Sequence, residues 1–155
     1  MIRVGAGILW RRWVKKRACI FAGLTALAGL ALWPAAASQQ RSVVQGVYTL
    51  EQASRGAVVY QDQCETCHGD PRTGGDDAPN LAGEDFVDHW NGKTLFDLAV
   101  RIQTTMPASD PASLTRQEYV DVIAFILNQN AFAKGTEELT TDSVLQSIII
   151  EPKKK

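Results

Sequence analysis

Cys64-Glu65-Thr66-Cys67-His68-Gly69 is the stretch on which the reading of this chain turns. Two cysteines three residues apart place both thiols on one side of a helical turn, within reach of one edge of a flat ligand. The histidine that follows projects its imidazole beneath the centre of that ligand. These positions suit a covalently attached haem, with two thioether bonds to its vinyl groups and one axial nitrogen on its iron. Three other readings compete. A thioredoxin-like redox pair requires a βαβ context, and none surrounds these residues. A structural zinc site requires four ligands. Outside the first 37 residues the chain offers only Cys64, Cys67, His68 and His89, so closure through His89 is open but the second pair of a zinc finger is missing. A Cys64–Cys67 disulfide would leave His68 incidental. An export signal upstream and a suitable second iron ligand downstream favour haem.

The upstream residues read as a leader. Arg3, Arg11, Arg12, Lys15, Lys16 and Arg17 form a basic region without an acidic residue, and Ala18 to Trp33 is an apolar run of 16 residues. A membrane span needs about 20, so the run is short for an anchor. Small residues at Ala35 and Ala37 fit an A-x-A cleavage site, which predicts a signal peptide over residues 1–37 and a mature chain beginning at Ser38. The alternative is an uncleaved leader that anchors the protein to the inner membrane. Arg11-Arg12 invites a twin-arginine reading, but its flanks match that signal poorly, and Cys19 does not resemble an acylation site. Removing the leader takes six of the 16 Lys and Arg but none of the 17 Asp and Glu, leaving a formal charge of −7. So acidic a protein is poorly suited to nucleic acid or anionic lipid, and its redox partner should present a basic or neutral face.

Along the mature chain, Ser38 to Gly46 is polar, and residues 38–49 read as a flexible lead-in. Thr49 opens a capping-box pattern with Gln52, predicting a helix from Leu50 to about Gln63 that runs into the cysteine motif. Asp70-Pro71, Gly74-Gly75, Asp76-Asp77 and Ala78-Pro79-Asn80-Leu81 make Gly69 to Gly83 a loop. Glu84 to Trp90 reads as a short helix, in which Trp90 either packs as core or offers its indole N–H to a haem propionate. His89 reads as a surface residue. Thr94, with Asp97, caps a further helix whose Leu95, Leu98, Ala99 and Ile102 share one face.

That helix ends at Thr104-Thr105-Met106-Pro107. Met106 follows His68 by 38 residues and is the sole methionine apart from the initiator. Its thioether is a soft, neutral donor that suits low-spin haem iron, and Pro107 restricts it to extended backbone. The competing role is that of a core gap-filler. Ser109 to Ser113 reads as a turn. Thr115-Arg116-Gln117-Glu118 is a second capping box, opening the longest amphipathic helix, to about Gln129. Tyr119, Val122, Ile123, Phe125 and Ile126 form its buried stripe, and an asparagine among Asn128 to Asn130 is expected to supply a left-handed cap. Residues 133–155 form an extension. Its Val144, Leu145, Ile148, Ile149 and Ile150 either lie against the domain or form a docking strand for a partner. The last three lysines read as solvated.

C-E-T-C-H-G, A-P-N-L-A-G, T-M-P and the closing helix together resemble class I cytochrome c. The resemblance implies an all-α class I cytochrome c fold over residues 50–132, its helices wrapped around one covalent haem c. It also implies that Gly56 and Tyr60, four residues apart on one face, let the first helix cross the last closely. By the same resemblance Cys64 and Cys67 carry the haem, while His68 and Met106 are the axial ligands. The Pro79 carbonyl then accepts from the free ring nitrogen of His68, and Leu81 packs on the porphyrin. Haem is attached outside the cytoplasm in that family, which implies general secretion and a periplasmic location. With both axial positions filled, the protein would carry single electrons rather than catalyse, as a soluble carrier or the carrier subunit of a dehydrogenase. The likeness extends to periplasmic cytochromes that accompany quinoprotein dehydrogenases. It implies a quinoprotein dehydrogenase and a terminal oxidase as redox partners. The competing class is a haem enzyme or a gas or redox sensor with an open sixth iron position. A domain of about 83 residues has a thin core, so folding is expected to depend on haem attachment.

Overall fold

The computed structural model describes residues 39–75, 78–140 and 142–153. The leader with its cleavage site and Cys19, together with Asp76, Asp77, Thr141 and the last two lysines, lies outside the described residues. The elements run β1 (Arg41–Ser42), α1 (Leu50–Gln63), α2 (Glu65–His68), α3 (Glu84–Trp90), α4 (Leu95–Thr105), α5 (Arg116–Gln129), α6 (Asp142–Gln146) and β2 (Ile148–Ile149). This is an all-α architecture, as the resemblance implies, with one two-residue parallel ribbon, β1 on β2, added to it.

Local signals set the helix starts. Thr94 with Asp97 and Thr115 with Glu118 form complete capping boxes, each satisfying two backbone donors reciprocally. At Thr49 only half of the box forms. The Thr49 hydroxyl accepts from the Gln52 N–H at 3.1 Å, but the Gln52 amide turns away from the helix end. It donates to the Leu139 carbonyl and accepts from the Leu139 N–H, both at 2.9 Å. Gln52 is fully buried, and a buried amide left unpaired there would be expensive, so the extension supplies its partners.

The main packing is α1 across α5. A Cβ built on Gly56 would land inside the Asp121 carbonyl, so only glycine permits this approach. Beside it Tyr60 and Phe125 meet at a ring-centroid distance of 4.9 Å. The Arg55 guanidinium grips the buried Asp121 carboxylate through two bonds of 2.9 and 3.0 Å. The α5 stripe is wider than the sequence suggests, since Val120, Ala124 and Leu127 are also buried while Phe125 is half-buried.

Three expectations differ from what is found. Of the lead-in expected over residues 38–49, the described part, 39–49, is not flexible, because Val43, Val47 and Tyr48 are buried in the same core as the helices. Arg41 and Ser42 pair with Ile148 and Ile149, and the Tyr48 hydroxyl donates to the Phe132 carbonyl at 2.7 Å. The boundary at residue 132 likewise does not separate a domain from a tail. Leu139, Leu145, Ile148 and Ile150 are fully buried, which favours the packed extension over a free docking strand. At the end of α5, Asn130 has φ −78°, and the left-handed residue is Ala131 at φ 55°. The Asn130 side chain is committed elsewhere, as described below. Among the described residues no helix is long and apolar enough to cross a membrane.

Candidate functional site

The motif is shaped by a break between two helices. At Cys64 the backbone leaves helical geometry (φ −124°, ψ −35°), although its N–H still donates to the Tyr60 carbonyl at 2.8 Å. The single turn of α2 then restarts the helix, with the N–H groups of Cys67 and His68 on the Cys64 carbonyl at 3.2 and 3.0 Å. Past His68 the Tyr60 hydroxyl holds the Gly69 carbonyl at 2.8 Å. The loop folds back beneath the motif so tightly that a Cβ on Gly75 would strike the Cys67 carbonyl.

His68 is buried, and its Nδ1 lies 2.9 Å from the Pro79 carbonyl oxygen. A carbonyl only accepts, so Nδ1 carries a proton, and in the neutral ring Nε2 is the nitrogen with the lone pair. The Pro79 segment is itself fixed from two sides. The Leu81 and Ala82 N–H groups donate to the Pro71 carbonyl at 2.9 and 2.7 Å. From α5, Asn130 donates to the Leu81 carbonyl at 3.0 Å and accepts from the Gly83 N–H at 3.0 Å.

Met106 is the residue that ends α4. Its backbone is extended (φ −132°, ψ 149°), as a residue before proline should be, and the Met106–Pro107 bond is cis. Its N–H donates to the Ile102 carbonyl at 2.8 Å, and its carbonyl accepts from the buried Tyr119 hydroxyl at 3.3 Å.

Cys64, Cys67, His68, Pro79, Leu81, Trp90 and Met106 all line one cavity of about 720 Å³, with Ile102, Val122 and Ile126 among its apolar walls. That volume lies in the range of cofactor pockets, about 300–1,000 Å³. Two free thiols at attachment spacing, an imidazole with one nitrogen free and a thioether on one lining are a donor set that fits covalent haem. Trp90 is half-buried with the Lys93 ammonium 4.8 Å above its ring, and His89 is exposed with its ring edge-on to Trp90. Among the described residues no three His, Cys, Asp or Glu side chains come together as a metal-holding group, so the zinc ligand set is not assembled there. Burial pushes the Cys64 thiol up to about 11, the opposite of the depressed value a redox-active thiol needs.

Sequence reasoning missed Asn130 and Tyr119 as site-building residues. In sequence both read as helix residues, one a cap and the other part of a stripe, and their partners lie on other segments.

Residues 51–126 match a family model described as cytochrome c oxidase, cbb3-type, subunit III. The matched span runs from the first turn of α1 to the last turn of α5, and so takes in the cysteine motif, the Pro79 segment and Met106. No curated protein and no solved structure matches the chain. With its fold and its cavity, the match makes this chain a class I c-type cytochrome, a class of electron carrier.

Proposed function

We propose that the protein is an exported, periplasmic carrier of single electrons, with one haem c on Cys64 and Cys67 and its iron held between His68 and Met106. The observation that carries this reading is that His68 and Met106, 38 residues apart in sequence, line one cavity together with both thiols. When bound, haem supplies a one-electron change at iron. The remaining work falls to the chain. The Pro79 carbonyl stops the His68 ring from turning and keeps Nε2 as the ligating atom. Ile102 and Tyr119 hold the Met106 backbone from both sides. Ile102, Val122 and Ile126 keep water from the cavity wall, which with a soft thioether donor favours the reduced state. The export signal and the charge of −7 after its removal support an encounter with basic or neutral partners outside the cytoplasm. A quinoprotein dehydrogenase is the proposed donor. The oxidase subunit named in the family description supports a terminal oxidase as acceptor.

Met106→Ala tests the reading. Ferrous wild type should bind carbon monoxide slowly or not at all, whereas Met106→Ala should bind it quickly and have a lower reduction potential. Rapid binding by the wild type, unchanged in Met106→Ala, would reduce Met106 to core and leave the open iron of a haem enzyme or gas sensor.

A further inference from the structure

The C-terminal extension touches α4 at the end opposite Met106. Ile150 exchanges two backbone hydrogen bonds with the turn before α4, accepting from the Gly92 N–H and donating to the Lys93 carbonyl, each at 2.8 Å. Thr94, the cap of α4, forms an antiparallel bridge with Ile149. Leu95, the first residue of the helix, is fully buried in the cluster that holds Leu145, Ile148 and Ile150. Both α6 and β2 pack on α4. The extension is tied down in turn by Gln52 on Leu139, by Arg55 on Glu138 and by an ion pair between Arg116 and Asp142. Yet none of Leu139, Leu145, Ile148 and Ile150 lines the cavity. They can reach the site only through the helices they pack on, and the helix that ends at Met106 is α4.

We infer that the extension is a brace that fixes α4 and so positions Met106 in the cavity, with Ile148 and Ile150 as its positioning residues. The inference rests on the reading of Met106 as an iron ligand. A helix of 11 residues is about 16 Å long and moves as one piece, so freeing its first turn lets its last turn shift. At that last turn Met106 is held by its own N–H on the Ile102 carbonyl and by the Tyr119 side-chain hydroxyl on its carbonyl. A loosened α4 raises the population in which sulfur has left the iron, by the free energy that the brace no longer supplies.

The test uses full-length, haem-loaded protein and measures carbon monoxide association with the ferrous form, with the far-red sulfur-to-iron absorption of the ferric form as a second reading. Ile150→Ala should raise the association rate by about tenfold, equivalent to about 1.4 kcal/mol in the ligand-off equilibrium, and weaken the absorption. Ile150→Val, which removes one methylene, should move both in the same direction by less and covers the case in which the alanine variant does not fold. Val47→Ala, a buried truncation in the stretch before α1, should change neither reading. Equal changes in the Val47 and Ile150 variants would mean general softening and overturn the brace, as would Ile150 variants identical to wild type. Rapid binding by wild type itself would overturn the Met106 reading and the brace with it, whereas slow wild-type binding with silent Ile150 variants would overturn the brace alone.

Discussion

Replacing Gly56 with alanine sets two effects against each other. In a helix interior alanine is favoured over glycine by about 1 kcal/mol, so helix propensity alone makes the variant more stable. The crossing opposes this. The new Cβ would fall on the carbonyl of Asp121 and reach the Val122 nitrogen, all of it α5 backbone that cannot swing aside. The helices must therefore separate, and overpacking of this kind costs about 1–3 kcal/mol. Separation also stretches the Tyr60–Phe125 contact at 4.9 Å, worth about 0.5–1.5 kcal/mol. The Arg55–Asp121 fork at 2.9 and 3.0 Å is strained too, but Arg55 is 45% exposed, so solvent screening keeps its share to about 1 kcal/mol or less. The net expectation is a loss of about 0.5–4.5 kcal/mol, with the crossing outweighing propensity across that range. Urea unfolding of the haem-loaded protein measures it, with Ser54→Ala, an exposed change two residues away on α1, expected to stay within about 0.5 kcal/mol of wild type. A Gly56→Ala protein as stable as wild type, or more so, would refute the reasoning, because propensity would then have won and the crossing would be loose.

Burial, with the charges of Glu65 and Asp70 as lesser causes, pushes the Tyr60 phenol up from 10.0 to about 12. The folded chain then keeps a proton that the unfolded chain releases, so stability is intact below pH 10 and falls by about 2–3 kcal/mol as pH rises to about 12, a slope that Tyr60→Phe should flatten in denaturant titrations. The charge of −7 predicts that electron transfer to a basic partner slows as salt shortens the Debye length from about 10 Å at 0.1 M to about 3 Å at 1 M; a flat stopped-flow rate would point to apolar docking. With Cys64 and Cys67 both changed to alanine, hydrogen exchange should leave the amides of Leu139 and Ile150 the better protected and those of Leu81 and Met106 the more exposed. Uniform exchange across the chain would contradict a core built in two parts.

What could be read from the sequence is what neighbouring residues decide. Thr94 and Thr115 announce their helices because the carboxylate that completes each box stands three residues on. Met106 is extended because Pro107 follows it. The C-x-x-C-H spacing likewise carries its own geometry. The failures share a different cause, which is a partner far away in sequence. Gln52 resembles the second half of a capping box, but its amide is satisfied by Leu139, 87 residues on. Asn130 resembles a left-handed cap, but its side chain holds Leu81, 49 residues back, and the strained conformation passes to Ala131. Val43, Val47 and Tyr48 sit in a polar stretch that looks solvated until Ile148 and Ile150 arrive from the other end of the chain. Side-chain amides and short apolar clusters leave no periodic signal, so nothing local distinguishes a paired one from a free one.

Those distant partners divide the core by task. Ile126, Val122 and Leu98 face the cavity, whereas Val43, Val47, Tyr48, Leu139, Leu145, Ile148 and Ile150 are buried without lining it. A domain of about 83 residues buries a smaller fraction of its surface than a larger one does, and the flanking segments enlarge its core without enclosing the cofactor site. Haem is then not the sole body around which the helices gather, which softens the expected dependence of folding on attachment. The consequence reaches the iron. A carrier has to keep the same two ligands in both oxidation states, because a ligand that leaves on each transfer adds reorganisation to every step. His68 is locked by its neighbour Pro79 within the cavity itself. Met106, proposed as the other ligand, is a neutral donor at the end of a helix, held at its backbone by the Ile102 carbonyl and the Tyr119 hydroxyl, so part of its frame comes from outside the cavity. On the brace reading, Ile148 and Ile150 add to that frame through α4 while lining no part of the cavity, so the residues proposed to retain the ligand are not those proposed to set the reduction potential.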